Sequence, residues 1–243
     1  MALMYKSKEI TISSADCDKN GLIKPSEVWN HFQDMAGWHA EDLGVGFDDM
    51  IAQGLIWVIL YEQFVVIKDM PKVNDKVILN TWPKLANKLE LEREYEMRDL
   101  DGNLLIQGVS NWTVIDVNTR RIARADRITF EGEYYQNCNF KEKQKRKIGL
   151  KFDNFIQEYD YKIVDSDIDH NKHLNNAKYL DIIANMNVIN DQKIKRIEIS
   201  FVHEAYLGNT IHIGYNKDEN GNLCFIGTVN DNPCFEARYE LEV

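Results

Sequence analysis

The chain has 243 residues, 44% hydrophobic and 28% charged, with a formal net charge of −10. That length fits one large domain or two of roughly 100–150 residues, and the acidic balance argues against a nucleic-acid partner, which requires a basic surface. No window approaches the ~18 uninterrupted apolar residues of a membrane span, so no membrane insertion is expected. The first residues, MALMYKSKEI, lack the long apolar core of a signal peptide. Cys17, Cys138, Cys224 and Cys234 show neither metal-ligand spacing nor a CxxC pair, and read as reduced thiols of a cytoplasmic protein with no metal and no cofactor.

In chain order, a strand over 8–13 leads to Asp16-Cys-Asp18-Lys-Asn20-Gly-Leu22-Ile23 and then to a helix. Pro25 suits its first turn, and Val28, Trp29, Phe32, Met35, Ala36 and His39 recur at helical spacing on one face. The following stretch, Leu43-Gly-Val-Gly46-Phe-Asp-Asp-Met50, reads as a loop near a pocket mouth. Strand-like runs then dominate, over 55–67, 76–82, 89–98 and 103–118. Glu131 to Leu150, rich in Lys, Asn and Gln, reads as a joint.

The second half repeats the first at low similarity. Asp167-Ile-Asp169-His-Asn171-Lys-His173-Leu174 matches the Asp16 segment at an offset of 151 positions. Tyr179, Leu180, Ile183, Ala184 and Asn187 form the next helical pattern, with Asn175 or Asn176 as its cap. Strands are expected over 160–165, 194–203, 210–216, 222–229 and 234–242. Val73-Asn-Asp75 parallels Leu207-Gly-Asn209 at offset 134, and Asp101-Gly102-Asn103 parallels Asn220-Gly221-Asn222 at offset 119. Both Gly pairs are hairpin turns. Each half is thus a strand, one long helix and an antiparallel meander, an α+β arrangement in which a sheet wraps a helix twice.

The stretch Asp167–Asp181 concentrates the chemistry. Two aspartates, a histidine pair and three asparagines precede an apolar run, a density of polar groups that is costly unless they are hydrogen-bonded or used. The plain reading gives Asp169 and Asn171 an Asx turn and a helix cap. The first half supports it, since Asp18 and Asn20 persist there while His173 becomes Leu22. His173, which does not repeat, is therefore the sharper catalytic candidate of this stretch.

Trp57-Val58, Pro71, Thr81-Trp82, Gly102, Ser110-Asn-Trp112, Asn118-Thr-Arg120-Arg121 and above all Asp169-His-Asn171-Lys-His173-Leu-Asn175-Asn176-Ala-Lys-Tyr179 form an ordered set across the chain. In this set the sequence resembles the acyl-acyl-carrier-protein (acyl-ACP) thioesterases of plants and bacteria. The resemblance implies a tandem hotdog fold. Because the first copy lacks the histidine, the N-terminal hotdog over 1–135 is expected to be catalytically degenerate and to bind the acyl chain. A linker over 136–150 and a catalytic C-terminal hotdog over 151–243 would follow. It implies hydrolysis of fatty acyl-ACP to free fatty acid, with Asp169, Asn171, His173 and Glu204 at the site. At the offset of 134 Glu204 falls opposite Met70, so His173 and Glu204, the two that do not repeat, are the sharpest catalytic candidates. Plant members carry a cysteine after that glutamate; here the position is Ala205, so the resemblance transfers no cysteine nucleophile.

On this reading Glu204, directly or with His173, activates a water, Asn171 orients the thioester or the water, and Asp169 holds its neighbours. Which of His173 and Glu204 is the base stays open, and His173 is preferred over His170 on motif position alone. Backbone N–H groups after Asn175 would meet the oxyanion, which makes Asn175 and Asn176 substrate-binding candidates beside Trp57. Most aromatic groups of the first half are expected to be core, with Trp57 the candidate for acyl-chain contact. Lys141, Lys143, Lys145, Arg146 and Lys147, and the arginines at 120, 121, 124 and 127, read plainly as solvated faces; the alternative is a docking patch for the acidic carrier protein. An acyl-coenzyme A thioesterase and a non-catalytic acyl-binding module are the alternatives of the same fold. A homodimer and a monomer both stay open, because hotdog sheets pair at their edges and a tandem chain can satisfy that pairing within itself.

Overall fold

The computed structural model describes residues 3–128, 130, 132–142, 144, 146–190 and 192–242. The chain divides into two compact units, Met1–Lys145 and Arg146–Val243.

In the first unit, β1 (Leu3–Met4) and β2 (Lys6–Thr11) precede α1 (Pro25–Asp42), α2 (Phe47–Ala52), β3 (Leu55–Val66), β4 (Lys76–Pro83), β5 (Glu90–Asp99), β6 (Leu104–Asp116) and β7 (Glu133–Tyr134). Its antiparallel sheet has the order β2-β4-β5-β6-β3, while β1 pairs in parallel with β7. The second unit has β8 (Gln157–Lys162), α3 (Lys178–Ala184), β9 (Ile194–Phe201), β10 (Thr210–Lys217), β11 (Leu223–Val229) and β12 (Asn232–Leu241). Its sheet order, β8-β10-β11-β12-β9, is that of the first unit term for term. The fold is α+β, a hotdog architecture built twice.

The repeat extends to single hydrogen bonds. Asp99 takes the backbone and side-chain N–H groups of Asn103 after the Gly102 turn, and Asp218 does the same for Asn222 after Gly221. Those glycines sit at φ +84° and +80°, a region disfavoured for other residues. Gly108 and Gly227 hold matching places five residues beyond Asn103 and Asn222. A Cβ at Gly108 would lie 2.6 Å from Phe32, and one at Gly227 would lie 2.0 Å from Phe235. The first unit fills this space with a helix ring, the second with a ring of its own sheet.

Helix α1 begins with Pro25 and buries Val28, Trp29, Phe32, Met35, Ala36 and His39, the face expected from its spacing. Phe32 stacks on Tyr95 at 4.8 Å and Trp29 meets Phe64 at 5.5 Å. Helix α3 departs from expectation. It has 7 residues against 18 in α1, and it buries Tyr179, Leu180, Ile182 and Ile183 while Ala184 and Asn187 are exposed. Asn187 and Asn190 adopt φ +55° and +52°. Asparagine tolerates that left-handed region, and an asparagine-rich stretch therefore ends the helix early.

The insertion at 43–50 also holds more order than a loop. It folds into α2, whose Met50 packs with Val45, Val114 and Ala125, and the indole N–H of Trp57 donates to the carbonyl of Val45 (3.0 Å). The segment from Asn137 to Gln144 is fastened to β5. Glu90, Glu92, Glu94 and Glu96 alternate along that strand, and the last three hold the segment. Fully buried Glu94 accepts N–H groups of Asn139 (2.7 Å) and Phe140 (3.2 Å) and pairs with Lys84 (3.0 Å). Glu96 accepts from Asn137 and Asn139, and Glu92 accepts the N–H of Gln144 (2.8 Å). Past it, Glu236 takes the N–H of Gly149 (2.6 Å) and the ammonium of Lys147 (3.4 Å).

A carboxyl group lies under α1. Glu62 is 1% exposed and accepts one hydrogen bond, from Gln33 (3.0 Å). Its second oxygen has no partner among the described residues. Burial pushes the group up to about 8 from its ordinary value of 4.5, against the opposing effect of Gln33. Between those values the folded chain keeps a proton that the unfolded chain releases. The stability contributed by the protonated form is complete below pH 4.5 and is lost as pH climbs through 8. In Glu62→Gln, which stays neutral, the melting temperature is expected to gain on the wild type as pH rises across that window. Parallel curves of melting temperature against pH would contradict it.

Candidate active site

The turn before α3 is built by carboxylates. Asp167 accepts the N–H of Val164 and the hydroxyl of Tyr161, both at 2.9 Å. Asp169 accepts the N–H groups of Asn171 (2.8 Å) and His173 (3.2 Å), while its own N–H donates to the carbonyl of His173 (2.9 Å). Asp18 closes the first-unit loop the same way, accepting from Asn20 (2.8 Å) and Leu22 (3.0 Å). Gly21 turns that loop at φ +76°, whereas Lys172 occupies the equivalent place at φ +67°, an uncommon conformation for a residue with a side chain.

A second loop, between β9 and β10, carries Glu204. It is tied to β12 by the N–H of Val202 to the carbonyl of Cys234 (2.8 Å) and to the histidine loop by the N–H of Leu174 to the carbonyl of Ala205 (2.9 Å). The donor of the latter bond follows His173 and the acceptor follows Glu204, so it brings the two side chains opposite one another. The Nε2 of His173 lies 3.5 Å from Oε2 of Glu204, and both side chains are partly exposed.

Tyr206 completes the group, and the sequence reading missed it. Its hydroxyl donates to the same Oε2 of Glu204 at 2.8 Å, and its ring meets the imidazole of His173 edge-on at 5.0 Å. Glu204 and Tyr206 line a groove of about 320 Å³ with Asn209, Asn230, Asn232 and Cys234. Cys234 is buried, and burial pushes its thiol up to about 12, the reverse of an activated nucleophile. Tyr179, buried behind the site, is raised above the ordinary phenol range by burial and by the charges of Cys234 and Glu204. A carboxylate beside an imidazole at the edge of a polar groove can take a proton from water.

Asn171 is exposed on the histidine loop, and His170 beside it is exposed as well. Asn175 receives the N–H of Ala177 on its side chain (2.8 Å) and that of Lys178 on its carbonyl (3.0 Å). Those two N–H groups, expected at the oxyanion, are occupied. Asn176 is half-buried ahead of α3, and Trp57 lies in the first unit, in the cluster with α2. Lys141 and Arg146 are exposed and Lys147 is held by Glu236, while Lys143 and Lys145 lie outside the described residues. Arg124 pairs with Asp126.

The family model described as the acyl-ACP thioesterase N-terminal domain matches residues 3–130, and the C-terminal domain model matches residues 133–234. The chain is 31% identical over 194 residues to a chloroplastic palmitoyl-acyl carrier protein thioesterase of Arabidopsis thaliana, covering 73% of this chain and 47% of that protein. It is 28% identical over 173 residues to one from Cuphea hookeriana, covering 63% and 40%. The chain thus spans about half the length or less of these curated relatives. Among solved structures, an acyl-ACP thioesterase from Bacteroides thetaiotaomicron VPI-5482 superposes with a TM-score of 0.87 at 21% identity, over 98% of both chains. A 12:0-ACP thioesterase from Umbellularia californica superposes with a TM-score of 0.82 at 19% identity, over 98% of this chain and 97% of that one. At these identities the likeness establishes the fold.

Asp169 acts in this geometry as an acceptor of backbone N–H groups. Asp169→Ala is expected to cost about 1–3 kcal/mol of stability and to broaden the ring signals of His173 in NMR spectra, whereas Asp169→Asn keeps an acceptor oxygen and stays near the wild type. Equal damage from both replacements would show that charge, rather than acceptor geometry, holds the loop.

Proposed function

The chain belongs to the acyl-ACP thioesterase family, and on that premise we propose that it hydrolyses fatty acyl-ACP thioesters to free fatty acid and carrier protein. The observation that carries this reading is the His173–Glu204 pair at 3.5 Å, at the positions that are Leu22 and Met70 in the first repeat. In the reaction, Glu204, directly or with His173, takes a proton from water as its oxygen bonds to the thioester carbonyl carbon. The tetrahedral intermediate expels the carrier thiolate as the carbon–sulfur bond breaks, and the proton returns to that sulfur. General-base action of this kind supplies about 10²–10⁴ in rate.

Asp169 positions the loop, and Asn171, exposed on it, orients the thioester or the water. Asn175 serves the turn into α3, and Asn176 remains the substrate-binding candidate of the two. The C-terminal hotdog, 151–243, carries the chemistry. The N-terminal hotdog, 1–135, is the degenerate copy and holds the acyl chain, with Trp57 and its cluster as the contact. The acidic carrier docks on the cations of the 141–147 run, of which Lys141 and Arg146 are exposed and Lys147 pairs with Glu236. No helix among the described residues is long and apolar enough to cross a membrane. The compartment proposed is the cytoplasm, where thiols such as these four stay reduced.

Product analysis with a panel of acyl-ACP thioesters tests the reading. The wild type is expected to release free fatty acid, Glu204→Ala and His173→Ala to lose about 10²-fold or more in turnover, and Trp57→Ala to change the preferred chain length. Undiminished turnover in both site variants would overturn the chemistry, and an unchanged product profile would remove Trp57 from the acyl path. Neutralising Lys141 and Arg146 is expected to raise KM for ACP thioesters more than for coenzyme A thioesters; equal effects would leave the run a plain linker.

A further inference from the structure

We propose that Tyr206 is a positioning residue that fixes the carboxylate of Glu204 and keeps it ionised; the role rests on the hydrolytic reading above. The two repeats serve as an internal control. At the offset of 134, Tyr206 corresponds to Lys72 and Asn209 to Asp75. The backbone turn is the same in both units. The N–H of Tyr206 donates to Oδ1 of Asn209 (3.0 Å), and the N–H of Lys72 donates to Oδ2 of Asp75 (2.8 Å). The return bond, from the N–H of Asn209 or Asp75 to the carbonyl of Tyr206 or Lys72, is 3.0 Å in each. Gly208 and Asn74 both take positive φ, at +81° and +70°. The turn itself therefore asks for no tyrosine.

What differs is the set of side chains that this shared backbone presents. Leu22, Met70 and Lys72 of the first unit become His173, Glu204 and Tyr206 in the second. Two of the replacements converge on an oxygen of the third: Oε2 of Glu204 lies 2.8 Å from the Tyr206 hydroxyl and 3.5 Å from Nε2 of His173. A hydroxyl donor stabilises the charged form of a carboxylate and fixes its rotamer. The ring of Tyr206 against the imidazole holds His173 at the same time. Tyr179 of α3, Cys234 of β12 and His203 of its own loop also lie near Glu204. Both Tyr179 and Cys234 are raised by burial, so neither adds charge at neutral pH.

Tyr206→Phe keeps the ring and removes the donor, and at 46% exposure the fold should tolerate it. Two readouts are paired: the pH dependence of kcat on an acyl-ACP thioester, and the NMR titration of the ¹³C-labelled Glu204 carboxyl in the unliganded protein. In the variant, kcat is expected to fall about tenfold with KM unchanged, the acidic limb of the profile to move to higher pH, and the carboxyl to titrate higher. An unmoved carboxyl titration would overturn the proposal whatever happens to kcat, as would a shifted titration with wild-type kcat and limb. A wild type that releases no fatty acid, with the titration still shifted, would overturn the hydrolytic reading and leave the tyrosine–carboxylate contact standing.

Discussion

One backbone hydrogen bond organises the site: the N–H of Leu174 donates to the carbonyl of Ala205 at 2.9 Å. Its donor follows His173 and its acceptor follows Glu204, so forming it fixes the separation of the two groups before any side chain interacts. The first unit has the same bond, from the N–H of Ile23 to the carbonyl of Pro71 (2.9 Å). A single such bond contributes only about 1 kcal/mol net. It gains its effect because both loops are already rigid. Asp169 closes one through the N–H groups of Asn171 and His173, and Val202 ties the other to β12.

Duplication separates scaffold from chemistry here. Asp18 and Asp169 repeat, as do the Asp75 and Asn209 turns and the Asp99 and Asp218 hairpins. These groups serve the backbone in both halves, and their geometry is explained without catalysis. The residues that do not repeat sit on those shared turns and face the carboxylate of Glu204. In the first unit the investment goes into burial. Trp29, Phe32 and Phe64 are wholly enclosed, α1 is more than twice the length of α3, and Glu62 sits beneath it. A long helix over a large apolar core marks the first unit, while the shorter helix belongs to the unit that carries the polar cluster.

Much of this was legible in the sequence because it follows from local patterning. The offsets of 151, 134 and 119 marked equivalent backbone positions, and the bonds at Ile23 and Leu174 respect the first two at their donors and acceptors. Strand-like runs marked ten of the strands to within a few residues, the short β1 and β7 excepted, and the Gly102 and Gly221 turns fell where expected. Three features had no local signal. Tyr206 lies two residues beyond Glu204 in an ordinary turn, and only the fold shows its hydroxyl on Oε2. The early end of α3 turned on asparagines in left-handed backbone rather than on a glycine or proline. The polar stretch after β7 resembled a free joint because its partners, Glu92, Glu94 and Glu96, lie more than forty positions earlier.

The claim that matters most is that the imidazole and the carboxylate serve one water molecule. A double-variant cycle on kcat/KM for an acyl-ACP thioester tests it directly, with His173→Ala, Glu204→Gln and the pair together. If both groups serve one proton transfer, the double variant will be about as slow as the slower single variant, since removing one already disables the other. Losses that multiply would show two independent contributions and would contradict the shared site.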